Sequence, residues 1–130
     1  YAKGWPVHRA PTGITSSNKS MVERWAKKFL STNKPLEDVV VELRVPSMPL
    51  YEALLSHGAK ASFDVLQIDT EGYDDEVLYN SSISYFLPKL IAFETTHLSS
   101  ERVSRIIDEI QGFGYEIVRG VEDCMALKID

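Results

Sequence analysis

The sequence has few of the features that mark secreted, membrane-bound or nucleic-acid-binding proteins. Its one cysteine, Cys124, cannot form an internal disulfide. No apolar run approaches the ~20 residues that span a bilayer, and no signal-peptide pattern opens the chain. With 14 basic against 19 acidic residues and a net charge of −5, no basic stripe indicates nucleic acid or a membrane surface. We therefore expect a cytoplasmic protein with no nucleic-acid or membrane partner.

The composition is that of one ordinary globular domain. The 130 residues are 44% hydrophobic and 25% charged, which is enough for a hydrophobic core. The chain begins with Tyr1 rather than Met, so we expect it to be processed or cut from something longer. Residues 1–38 are predicted to form an irregular lead-in, with a short strand near Val7, followed by one helix. Residues 39–130 are predicted to form the main folded part.

The hydrophobic pattern alternates between strands and helices. Strands are predicted at Val39–Val45, Phe63–Ile68, Leu90–Phe93, Tyr115–Val118 and Met125–Ile129. Helices are predicted at Ser20–Leu30, from Pro49 to a cap at Gly58, at Tyr73–Tyr79 and at Ser99–Gln111. This alternation favours an α/β fold, with a mostly parallel sheet and helices on both faces. The short link between the last two strands favours an antiparallel pair at the C-terminus.

We expect four of these strands to share one sheet. They are the strands near Val65, Ile91, Ile117 and Leu127, and the first two are predicted to be parallel neighbours. Ligands of open α/β sheets bind beyond the carboxyl ends of such strands.

Two acidic residues fall at carboxyl ends of the predicted strands. Asp69 follows Ile68, Glu94 follows Phe93, and His97 lies three residues further on. These groups could bind a divalent metal or act as a base that takes a proton from a hydroxyl. Asp69 could instead only cap the helix that follows it. The residues alone leave these alternatives open, and we assign no metal ligand.

The segment from Asp64 to Asp74, continued by Glu76-Val77-Leu78, resembles the most characteristic segment of FkbM-type methyltransferases. Pro88 to Glu94 with His97-Leu98-Ser99, and then Glu122 to Ala126, resemble later parts of that family. The resemblance runs from about Val39 to the end of the chain.

The resemblance implies a partial Rossmann-like methyltransferase fold and methyl transfer from S-adenosylmethionine to a hydroxyl oxygen of a small molecule. It implies that Asp69, Glu94 and His97 are catalytic, and that Asp69, Glu71 and Gly72 contact the cofactor. A divalent metal is compatible with these residues but has no support of its own in the sequence.

The sequence departs from the family in its glycines. S-adenosylmethionine enzymes of this kind hold the cofactor with a glycine-rich turn after a strand, whereas the one Gly-x-Gly here, Gly112-Phe113-Gly114, ends a predicted helix. We therefore expect the C-terminal part of a methyltransferase domain, which is active in the intact parent protein and has doubtful activity alone.

Two other functions fit parts of the pattern. The string Asp69-Thr70-Glu71-Gly72 also resembles the nucleophile loop of haloacid-dehalogenase-like phosphatases, although Glu71 replaces the second aspartate. A non-catalytic half-domain that acts in assembly is the second alternative. An unpaired sheet edge near Val65 would then favour a homodimer.

Overall fold

The structure is a computed structural model that describes residues 15–29, 35–58 and 63–129. Its contacts divide the chain into two compact units, Tyr1–Pro46 and Ser47–Asp130. The lead-in predicted for residues 1–14, with its strand near Val7, lies outside the described residues. The boundary predicted between residues 38 and 39 stays a prediction.

The first unit contains the helix predicted from Ser20, which begins one residue earlier as α1 (Lys19–Phe29). Asn18 precedes the helix, and its Oδ1 atom accepts a hydrogen bond from the backbone N–H of Met21 at 3.3 Å. An asparagine amide is a good helix cap because it satisfies a backbone N–H that has no partner within the helix.

The strand predicted at Val39–Val45 is wrong. The chain forms a 3-10 turn at Leu36–Asp38 and then no regular structure until residue 50. Val41, Leu43 and Val45 are 75%, 76% and 72% exposed. An alternating pattern produces a strand only where a neighbouring strand accepts its hydrogen bonds, and the described residues of the first unit contain no other strand.

The described helices of the second unit are α2 (Leu50–Ser56), α3 (Asp74–Tyr79), α4 (Ile83–Phe86) and α5 (Ser100–Gly112). Helix α2 begins directly after Pro49 as predicted, since proline is tolerated where no N–H donor is needed. Gly58 follows its end with a φ of 75°, a conformation that favours glycine. None of the described helices is long and apolar enough to cross a membrane.

Helix α5 confirms the clearest helical pattern of the sequence. The Ser99 hydroxyl caps it by accepting the backbone N–H of Arg102 at 3.3 Å. Helix α4 was not predicted, because a single turn between Ser82 and Leu87 is too short to show a helical period.

The sheet of the second unit has four described strands: β1 (Val65–Ile68), β2 (Leu90–Glu94), β3 (Tyr115–Arg119) and β4 (Asp123–Lys128). Their order is β1-β2-β4-β3, with β1 parallel to β2 and β4 antiparallel to both of its neighbours. The predicted single sheet, the parallel β1–β2 pair and the antiparallel C-terminal pair are confirmed. Because β4 turns back to lie between β2 and β3, the described sheet is mixed rather than mostly parallel.

One face of this sheet holds the core. Ile91, Phe93 and Ala126 are buried there against Ile106 and Ile110 of α5, and α3 and α4 contribute to the same cluster. Side chains on the opposite face stay exposed, among them Val65, Val118, Met125 and Leu127. Within the described residues of this unit, the prediction of helices on both faces is therefore met on one face only.

Tyr115 links the core to the loop before β2. Its hydroxyl is buried and donates to the carbonyl of Pro88 at 2.6 Å, and burial raises its pKa to about 12. In the unfolded chain the tyrosine pKa is about 10, so between these values only the unfolded state loses the proton. The contribution of Tyr115 to stability is therefore present below pH 10 and lost as the pH rises toward 12.

We expect Tyr115→Phe to lower the free energy of unfolding by about 1 kcal/mol at neutral pH. As the pH rises from 10 to 12, the free energy of unfolding of the unsubstituted protein should fall by about 2 to 3 kcal/mol more than that of the variant. Urea unfolding of both proteins across this range measures the difference. If the free energy of unfolding fell equally with pH in both proteins, Tyr115 would not be the group responsible for the loss of stability.

Candidate active site

The parallel pairing of β1 and β2 brings two predicted site segments to one edge of the sheet. Ile68 lies opposite Phe93 in the register, so Asp69 leaves β1 close to where Glu94 ends β2. His97 follows in the loop after β2. This edge is the place where open α/β sheets bind their ligands.

The backbone after Asp69 makes a tight turn with two positive φ angles. Glu71 has a φ of 54° and Gly72 a φ of 97°. A side chain at position 72 would place its Cβ atom 3.0 Å from the Cβ atom of His97. Glycine is therefore needed both for the turn and for the close approach of the His97 loop.

The turn brings Glu71 against His97. The Nε2 atom of His97 is 3.3 Å from Oε2 of Glu71, and the two side chains are 25% and 32% exposed. Glu94 reaches the same point, so that one ligand atom from each of these three residues lies within 4.8 Å of the others. The structure thus unites Glu94 and His97 with Glu71, which the resemblance had assigned to the cofactor.

The carboxyl group of Glu94 has a raised pKa. Burial raises its pKa, a hydrogen bond from Thr96 and the charge of His97 oppose this rise, and the charges of Glu71 and Asp69 add to it. Its Oε2 atom is buried and has no hydrogen-bond partner in the part of the chain that the structure describes. A carboxylate in this setting is a stronger base than one in water and gains free energy from any added donor or cation.

Asp69 lies beside the cluster and is exposed. It does not cap α3: the residue before that helix is Tyr73, and no side chain makes a cap hydrogen bond there. The structural alternative for Asp69, a helix cap, is therefore wrong. Its carboxylate remains accessible to a ligand at the carboxyl end of β1.

A buried aspartate holds the two loops together. Asp74 is fully buried, and its Oδ2 atom accepts the Thr70 hydroxyl at 2.9 Å. Its Oδ1 atom accepts the backbone N–H of Glu94 at 3.2 Å. One carboxylate therefore ties the turn after β1 to the last residue of β2, which fixes the separation of Glu71 and Glu94.

Helix α5 supports the same turn through an ion pair. Arg102 Nε donates to Oδ2 of Asp75 at 2.7 Å, and a second nitrogen of Arg102 bonds Oδ1 of the same carboxylate. Arg102 also donates to the carbonyl of Gly72 at 3.3 Å. The Asp75 carboxylate is almost entirely buried. Its hydrogen bonds and its negative charge raise the pKa of Arg102, although burial of the guanidinium opposes this rise.

The sequence explains Asp74 and Asp75 only as acids that the helix dipole favours in a first helical turn, and it indicates no role for Arg102. The available signal was two adjacent acids directly after the Asp69 to Gly72 segment. Nothing in the sequence indicates that one of them pairs with a residue 27 positions later.

One family model matches this chain. It is described as the Methyltransferase FkbM domain and matches residues 4–117. The match includes the whole turn and the His97 loop, begins well before Val39, and ends within β3. Neither the curated proteins nor the solved structures gave a significant match.

Proposed function

Because the chain belongs to the FkbM methyltransferase family, we propose that it serves methyl transfer from S-adenosylmethionine to a hydroxyl oxygen of a small molecule. The match over residues 4–117 carries the proposal. S-adenosylmethionine, when bound, supplies a methyl group on a positively charged sulfur. The acceptor hydroxyl must lose its proton, and a base at the site serves that step.

Asp69 is the residue that we propose as this base. It is exposed at the carboxyl end of β1, and no helix requires it as a cap. Glu94 and His97 lie together with Glu71 in the neighbouring cluster and would orient the acceptor hydroxyl. In that role Asp69 would take the hydroxyl proton as the acceptor oxygen gains the methyl group, whose bond to sulfur breaks to leave S-adenosylhomocysteine.

The acidic turn fits two parts of the cofactor. Carboxylates such as Asp69 and Glu71 can accept hydrogen bonds from ribose hydroxyls and offset the positive charges of S-adenosylmethionine. Gly72 leaves room for close backbone approach, although His97 already occupies the space beside its Cα atom. In the described ranges, no glycine-rich turn follows a strand to complete this cradle.

We expect the purified chain to bind S-adenosylmethionine weakly. One acidic wall leaves most of the ligand in water, where polar contacts contribute little net free energy. Isothermal titration calorimetry measures the affinity directly. A dissociation constant in the low micromolar range would contradict this prediction and place the cofactor somewhere other than we propose.

The reaction itself is tested with S-adenosylmethionine labelled on the methyl group, at high concentration, and a panel of hydroxyl-bearing acceptors. The proposal expects label on an acceptor oxygen. If no acceptor gains label in any form of the protein that binds the cofactor, the proposal fails. Release of phosphate from an aryl phosphate, abolished by Asp69→Asn, would instead favour the haloacid-dehalogenase-like alternative.

A second copy of the chain is the partner that we propose. Among the described strands, β1 is an edge strand with a neighbour on one side only, and Val65 on it is 56% exposed. Such an edge can pair with the same edge of another molecule. A monomer mass in sedimentation equilibrium at micromolar concentration would exclude this dimer, and with it the alternative of an assembly role.

A further inference from the structure

Three side chains at the carboxyl ends of β1 and β2 form a set of metal-ligating atoms. Glu71, Glu94 and His97 each offer one such atom within 4.8 Å of the other two. Two carboxylates and one imidazole are a donor set that divalent transition metals use in proteins. The two negative charges match the charge of such an ion, and the imidazole favours it over calcium or magnesium, which prefer oxygen ligands alone.

A second observation points to an absent ligand. The Oε2 atom of Glu94 is buried and has no hydrogen-bond partner among the described residues. A buried carboxylate oxygen without a partner costs free energy, so native proteins rarely leave one unsatisfied. A cation bound to the Glu94 carboxylate between the three side chains would offset that cost.

The surrounding structure holds the three ligands in place before any ion binds. Gly72 allows the His97 loop to approach the turn, and Asp74 accepts the backbone N–H of Glu94. Arg102 fixes the carbonyl of Gly72 from the side of α5. Because these contacts do not use the ligating side-chain atoms, little further ordering is needed when an ion enters.

We propose that Glu71, Glu94 and His97 bind one divalent transition-metal ion, such as Mn²⁺, through one atom each. The remaining coordination positions face solvent, since the His97 and Glu71 side chains are partly exposed. Water or the oxygen of an acceptor molecule would occupy them. The site shares residues with the proposed methyl transfer, but ion binding does not require that reaction.

Titration of the 130-residue chain with MnCl₂ by calorimetry, without S-adenosylmethionine, tests the proposal. We expect one saturable site. Glu94→Gln and His97→Gln should each weaken Mn²⁺ binding by more than about tenfold, since even loss of an outer hydrogen-bond partner costs that much in known sites. The matched control is Glu101→Gln on α5, an exposed residue whose loss removes the same charge and should leave the affinity unchanged.

Circular dichroism of each variant without metal shows whether it folds. If Glu94→Gln does not fold, the Mn²⁺ affinity of His97→Gln tests the proposal. Absence of saturable Mn²⁺ binding to the unsubstituted chain would overturn the proposal. Equal affinity in His97→Gln and Glu101→Gln would overturn it as well. Saturable Mn²⁺ binding without methyl transfer would count against the proposed reaction and leave the ion site standing.

Discussion

Asp69→Asn is expected to lower turnover by at least about 100-fold in catalytically active protein, because asparagine cannot take the proton of the acceptor hydroxyl. The free energy of unfolding should change by less than about 0.5 kcal/mol, since Asp69 is exposed and caps no helix. Initial rates and urea unfolding of the same preparations measure both quantities.

The exposed Asp108 on α5 provides the control. Asp108→Asn removes an equal charge away from the site and should change neither turnover nor stability. Full activity of Asp69→Asn would remove the support for Asp69 as the base. A loss of turnover that follows a loss of stability would show that Asp69 has a structural role.

Asp74→Ala is expected to lower the free energy of unfolding by about 3 kcal/mol. It removes two hydrogen bonds to a buried carboxylate, those from the Thr70 hydroxyl and the Glu94 backbone N–H. Hydrogen bonds to charged groups contribute about 1.5 to 3 kcal/mol, and the N–H at the end of β2 would lose its partner. Chemical denaturation at neutral pH measures the change.

Asp74→Asn separates hydrogen bonding from packing. Its amide oxygen can still accept one of the two hydrogen bonds, so we expect it to lose about half as much stability as Asp74→Ala. Equal losses in the two variants would mean that the carboxylate geometry is not what stabilises the turn. Asp108→Ala, on the exposed side of α5, should cost less than about 0.5 kcal/mol.

Much of the fold follows from local sequence. Helix α5 has a serine cap and an apolar stripe, and both of these act within a few residues. Strand β2 is a short apolar run, and the tight link between β3 and β4 requires an antiparallel pair. The Asp69 to Gly72 turn could likewise be assigned to the carboxyl end of a strand, because the apolar run that precedes it is a local pattern.

The hydrophobic pattern did not predict the secondary structure correctly where that structure depends on contacts with distant residues. The segment Val39–Val45 alternates as a strand should, yet the described residues of its own unit contain no strand to pair with it. Helix α4 is one turn long, and its position depends on the burial of Ile83 and Phe86 in the core. Neither result depends on propensity, since pairing and burial involve residues distant in sequence.

The sequence by itself determined the strand–turn–helix that carries Asp69 and Glu71, the family to which that segment points, and the parallel pairing of the two strands that form the site. Only the tertiary structure decided that Glu71 joins Glu94 and His97, and that Asp74 and Arg102 hold them there. The physical reason is range: capping and periodicity act over a few residues, whereas burial brings together residues twenty or more positions apart.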